Sequence, residues 1–206
     1  MNEVILNGVK KYYSDRIKEF GNNHLGVDWN SKEGQYLRFE QLCNVIDSSA
    51  FSVLDYGCGY AELVNFLDKN YNTAFSYCGF DISELMIDEA SLMFKDNSSV
   101  NFVSKLDNSK YDYVLGSGLF NVKLKLATDI EWLDYIHNTL IEMDNLSLKG
   151  FSFNALTSYS DKDYKKDYLY YSDPCYLFDF CKKHFSRNVA LLHDYDLYEF
   201  TIVVKK

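Results

Sequence analysis

Apolar positions in residues 2–20 recur with a helical period, with Ile5, Val9, Tyr12, Tyr13, Ile17 and Phe20 near one face. A polar loop over 21–32 holds Gly26-Val27-Asp28-Trp29. Ser31 then marks the entry of a second amphipathic helix carrying Tyr36, Leu37, Leu42, Val45 and Ile46. From there the period alternates. Short apolar runs at 51–56, 74–80, 101–104, 111–116 and 151–156 read as strands. Between them lie helical stretches at 60–69, about 83–94 and 128–143. Ser83 is placed to cap the second of these, ahead of an acidic first turn. Residues 157–172 form a tyrosine-rich insertion with no apolar period, and Asp173-Pro174 opens a further helix. Runs at 188–193 and 197–204, joined by Asp194-Tyr195-Asp196, read as a terminal hairpin. Strands alternating with helices require a mostly parallel sheet covered on both faces, a doubly wound α/β fold, to which the hairpin adds an antiparallel strand.

Length and composition narrow this further. The 206 residues suit one domain with a full core, so 1–206 is read as a single unit with 1–34 as a helical lid or extension. A net charge of −9 argues against a nucleic-acid partner, whose backbone affinity is built from Lys and Arg. The five cysteines are odd in number, lack metal spacing and lie largely in apolar runs. Reduced thiols in a cytoplasmic protein are expected, with no metal. No leader and no apolar run of membrane-spanning length is apparent, so no membrane partner is expected.

The densest chemical signal is Val53-Leu-Asp-Tyr-Gly-Cys-Gly-Tyr-Ala61, a strand running into a glycine turn and a helix. Gly57 and Gly59 let the backbone pass close beneath a ligand, with Cys58 between them, and helix N–H groups face the turn. Asp81 follows at the tip of the next strand, where a carboxylate can accept both hydroxyls of a ribose. A dinucleotide fingerprint needs a small residue where Glu62 stands, and a carboxylate there would repel a pyrophosphate. The run resembles motif I of the class I S-adenosylmethionine (SAM) dependent methyltransferases, with Asp55, Gly57 and Gly59 in place and Ala61 for the third glycine. The resemblance implies a seven-stranded sheet of order 3-2-1-4-5-7-6 over residues 35–206. It also implies SAM as cofactor, S-adenosylhomocysteine as product, and adenine packing on Ile82.

Other candidates follow from placement at strand ends. Ser117 and Gly118, after the fourth strand, are expected to line the methionine end, with Phe120 or Asn121 facing the acceptor. Trp29 and Arg38 precede the core. By the same resemblance they belong to an N-terminal lid, with Arg38 reaching the methionine carboxylate; a pair with Glu40 or Glu33 is the alternative. A mere cap for the following helix is the alternative role of Asp81. His193, beside Asp194, and His24 are candidate bases for an alcohol acceptor. Tyr159 and Tyr170 represent an insertion suited to a small polar or carbohydrate-type acceptor, or one that merely caps the sheet edge. The leading expectation is a SAM-dependent methyltransferase for such a small molecule. The alternatives are a noncatalytic methyltransferase-like partner subunit and an enzyme acting on a protein or RNA, the last disfavoured by the acidic charge.

Overall fold

The computed structural model describes residues 3–71 and 73–206. The expected helix start at residue 2, and residues 1, 2 and 72 of the single-domain reading, lie outside the described residues. Two helices come first, α1 (Glu3–Phe20) and α2 (Lys32–Leu42), joined through a 3₁₀ turn at His24–Val27. Ser31 opens α2 by accepting the Gly34 N–H.

The alternating pattern then unfolds as expected: β1 (Phe51–Tyr56), α3 (Glu62–Asn70), β2 (Phe75–Phe80), α4 (Glu84–Met93), β3 (Val100–Val103) and β4 (Tyr111–Gly116). After these come α5 (Asp129–Leu146), β5 (Ser147–Leu156), α6 (Pro174–His184), β6 (Asn188–Leu192) and β7 (Glu199–Lys205). Side chains cap the starts of α4, α5 and α6. Ser83 accepts from Met86, Thr128 and Glu131 form a reciprocal capping box, and Asp173 accepts from Cys175 and Tyr176 ahead of α6. The strand expected at 151–156 starts at Ser147 instead, directly after α5. Its first three residues hold one apolar side chain, Leu148, which is exposed beside Lys149, and its pairing with β4 shifts register between Tyr111 and Tyr113, which hides it from an apolar-run reading.

The seven strands lie in the order β3-β2-β1-β4-β5-β7-β6, parallel from β3 to β5. β7 runs antiparallel to both β5 and β6. One face packs on α5 and α6 through Trp132, Ile136, Phe151 and Phe200; the other packs on α2 and α3 through Phe39, Leu42, Val64 and Tyr113. Both faces are apolar, as a parallel sheet requires. The order reverses between β1 and β4, which opens a crevice at their carboxyl ends. Among the described residues, no helix is long and apolar enough to cross a membrane.

Candidate functional site

A cavity of about 440 Å³ occupies that crevice. Its floor is the turn after β1, where Gly57 and Gly59 take the left-handed backbone (φ 76° and 55°). The Gly57 and Cys58 N–H groups both donate to the Phe80 carbonyl, at 2.7 and 2.9 Å, which stitches the turn to the end of β2. A Cβ on Gly57 would strike the Leu119 side chain, and one on Gly59 would come within 2.9 Å of Val27. The glycines are therefore required by packing of the turn against its neighbours. Ala61 also sits at positive φ, 65°, ahead of α3, whose start has no side-chain cap.

Asp81 closes the turn from the other side. One carboxylate oxygen accepts the Gly59 N–H at 3.0 Å and the other the Ser83 N–H at 2.8 Å. Asp81 thus serves the local helix entry and also lines the cavity. Burial pushes its carboxyl up to about 6, against the two amide bonds that lower it. Asp55, buried beneath the turn, accepts the Tyr77 hydroxyl at 2.6 Å; burial raises it to about 7. Glu62 also lines the cavity, with its oxygens taken up by Tyr36 at 2.8 Å, Lys32 at 3.0 Å and Asn65 at 2.9 Å.

The remaining cavity wall comes from Ile82, Ser117, Gly118 and Trp29, together with Leu106 after β3 and Tyr135 of α5. Helix α1 covers the opening with Leu6, Val9, Lys10 and Tyr13. It is anchored by Ser14 to Ser83 at 2.8 Å and by Asn22 to Glu89 at 2.8 Å. The cavity thus gathers Asp55, Gly57, Cys58, Gly59, Asp81, Ile82, Ser117, Gly118 and Trp29. Its donor set fits SAM: a ribose-accepting carboxylate, an apolar shelf at Ile82 for a purine, and a buried Ser117 hydroxyl with no hydrogen-bond partner among the described residues. No group of metal-binding side chains occurs among the described residues.

A second cavity of about 110 Å³ adjoins the first and shares Tyr13, Val27 and Trp29 with it. Its walls are polar: Asp28, Asn30, Arg38, Asn121, Lys166, Tyr168 and Glu199. Asp28 is held by the Tyr12 hydroxyl at 2.8 Å and by Arg16 at 3.1 Å.

Several expected roles are corrected by position. Arg38 does not line the larger cavity; its guanidinium is paired bidentately with Glu199 at 2.8 and 2.9 Å, a partner neither local alternative anticipated. Phe120 is fully buried in the core, against Phe153 and Tyr135, and lines neither cavity. Asn121 does line the second cavity, while its side chain accepts the Leu156 N–H at 3.0 Å. Tyr159 is exposed and lies against His193, while Tyr170 lies under Lys123; neither lines either of these two cavities. His193 ends the outermost strand, about 14 Å (three strand spacings) from β4, and is exposed against Tyr159 and Phe200. His24 sits in the 3₁₀ turn, and its ring lines neither cavity.

Sequence reasoning read the N-terminal segment as a lid without naming which α1 residues reach the cavity, and it missed Leu106 and Glu199. Leu106 had a usable signal, since it follows a strand end as Asp81 does. Glu199 had none, because its partner lies 161 residues away.

No family model matches the chain. It is 48% identical over 159 residues to a Mycobacterium tuberculosis protein described as "Putative methyltransferase Rv1506c", covering 76% of this chain and 93% of that one. Among solved structures it resembles magnesium protoporphyrin IX methyltransferase from Synechocystis with bound SAH (S-adenosylhomocysteine). That match has a TM-score of 0.63 at 13% identity and covers 99% of this chain and 98% of the other. It also resembles the N-methyltransferase NodS from Bradyrhizobium japonicum in complex with SAH, with a TM-score of 0.62 at 10% identity over 94% and 97% of the two chains.

Proposed function

The chain belongs to the SAM-dependent methyltransferases of the class I fold, and we propose that its acceptor is a small polar metabolite or a carbohydrate-type molecule seated in the second cavity. The observation that carries this reading is the shared wall. A polar chamber meets the cofactor cavity at Trp29, Tyr13 and Val27, beside Ser117 and Gly118.

When bound, SAM supplies an activated methyl group on a sulfonium. The chain's own residues then have three tasks. Asp81 and the glycine turn hold the nucleoside, with Ser117 and Gly118 at the other end of the cavity. Helix α1 covers the opening and limits water. The second chamber orients the acceptor, because an in-line displacement needs its atoms about 3–3.5 Å from the methyl carbon. Asp28, Asn30, Asn121 and Lys166 offer donors and acceptors suited to hydroxyl groups, and Tyr168 and Trp29 offer ring faces suited to a sugar. At about 110 Å³ the chamber takes only one end of a molecule, so the rest would extend along the tyrosine-rich insertion. No histidine borders either cavity, so general base duty falls to the acceptor's own ionisation or to the fixed carboxylate of Asp28.

The test is an incubation with methyl-labelled SAM and fractionated metabolite and saccharide pools, beside a protein fraction. Label in a low-molecular-weight polar product supports the reading. Label only in protein overturns it.

A further inference from the structure

A closed polar circuit runs around Gly118. Its N–H donates to Asn154 Oδ1 at 2.6 Å, and Asn154 Nδ2 donates to Glu199 Oε2 at 3.0 Å. Glu199 takes Arg38 through Nε at 2.8 Å and a terminal nitrogen at 2.9 Å. The Arg38 guanidinium lies 4.1 Å from the centroid of the Trp29 ring. The indole edge closes on Gly118, where a Cβ would sit 2.6 Å from it. The circuit therefore returns to its starting residue, joining α2, β5, β7, the turn after β4 and the loop before α2.

Fold stability does not account for this arrangement. Arg38 is 9% exposed, Glu199 2% and Asn154 0%. A buried ion pair is commonly no more stabilising than well-packed apolar residues of similar volume. What apolar residues cannot supply is a flat cation held at fixed height over an indole. Glu199 and Asn154 fix that cation from behind, so the indole is held between it and the glycine. Trp29 is also one of three residues that wall both cavities.

We infer that the Arg38–Glu199 pair is a positioning device for Trp29, and that Trp29 is the partition whose placement sets the passage between the cofactor cavity and the acceptor chamber. The chamber's role rests on the proposed acceptor class; the positioning of Trp29 does not, and its test needs no acceptor. Gly118 explains why the device works in so little space: its positive φ, 72°, and missing side chain admit the indole edge, and its N–H anchors the far end of the circuit.

The experiment uses the full chain labelled with fluorotryptophan. Its two tryptophans, Trp29 and Trp132, give two fluorine NMR signals, assigned with Trp29→Phe. Trp132 is fully buried on α5 and serves as the internal reference. In Arg38→Lys, which keeps the charge but loses the flat stacking surface, the Trp29 signal should move in the absence of ligand while the Trp132 signal stays. Glu199→Gln should do the same. The dissociation constant for SAH should rise about five- to tenfold in both, the size of losing a desolvated cation–π contact.

Because either single variant disturbs a buried ion pair, the double variant Arg38→Met/Glu199→Met separates the two roles. A merely structural pair predicts that thermal stability and the Trp29 signal recover together. A positioning pair predicts recovered stability with Trp29 still displaced. An unmoved Trp29 signal in the single variants, a Trp132 signal that moves with it, or a double variant that restores the Trp29 signal each overturns the inference. A displaced Trp29 in a protein with no small-molecule acceptor would sink the acceptor reading alone.

Discussion

Asp81 carries three demands at once: it accepts two backbone amides, lines the larger cavity and lies half-buried. Asp81→Ala should weaken SAH binding by about 1.5–3 kcal/mol, the range for hydrogen bonds to a charged group, measured by calorimetry on a variant shown to be folded. Its titration gives a second check. Asp81 and Asp55 are raised from the ordinary 3.8 to about 6 and about 7, so the folded ligand-free protein holds more protons than the unfolded chain. The stability from these two groups is therefore full below about pH 4 and is lost as pH rises through 6 and then 7. Ribose hydroxyls donate to the ionised form, so SAH binding should release a proton and weaken as pH falls below 6. Calorimetry in buffers of different ionisation enthalpy reads that proton, and Asp81→Asn should abolish it. Ala61 is a simpler case. Its φ of 65° costs an alanine roughly 1–2 kcal/mol, more than the roughly 0.4–1 kcal/mol of chain entropy a glycine adds. Ala61→Gly should therefore raise the melting temperature by a few degrees, and an unchanged or lower value would show that the turn favours the alanine.

Elements with a strong local signature were legible and the long-range ones were not. Tyr111–Gly116 was readable to the residue, because both its neighbours bury it and turn residues bound it. The glycine turn and Asp81 were readable for a related reason: the chemistry lies in consecutive residues, and strand ends in such a sheet share one edge. Ser147–Lys149 was missed because a strand start with a serine and two exposed residues carries no apolar run. Arg38 shows the limit most clearly. Its local sequence said that a buried guanidinium needs a partner, while the partner's identity depended on β7 docking against β5. Helix α1 was seen as a helix, yet the face it turns to the cavity was not assigned. That face now carries a prediction. Leu6, Val9 and Tyr13 cover the cavity, so bound SAH should slow hydrogen exchange across α1 as well as in the glycine turn. Equal exchange in α1 with and without SAH would reduce that helix to a fixed part of the core.

At the scale of the whole molecule, the sheet order decides which of the many tyrosines and histidines can take part in chemistry. The reversal between β1 and β4 sets the cavity at the middle of the sheet, and the hairpin places β6 at the far edge with His193 at its end. Proximity along the chain to an aspartate or a tyrosine-rich stretch was a poor guide, because three strand spacings separate that edge from the site. The insertion after β5 folds back instead. Its Leu169 pairs with Val122 in a short bridge, and the Tyr170 N–H donates to the Asn121 carbonyl at 2.8 Å. This return brings Lys166 and Tyr168, and not Tyr159 or Tyr170, to the second cavity. The two cavities then predict a separation of effects. Lys166 and Tyr168 line the second cavity, the proposed acceptor chamber, and are absent from the wall of the larger one, and Lys166 lies on the exposed insertion, where truncation costs little stability. Lys166→Ala and Tyr168→Ala should therefore raise KM for the acceptor with SAH affinity unchanged. Loss of a ring face or a polar contact of this kind corresponds to about 1–2 kcal/mol, or roughly five- to thirtyfold in kcat/KM. Steady-state kinetics beside SAH calorimetry reads both quantities on the same preparations. If acceptor kinetics stay at the native value in both variants, the acceptor lies elsewhere; if SAH affinity falls in step, the two cavities act as one site.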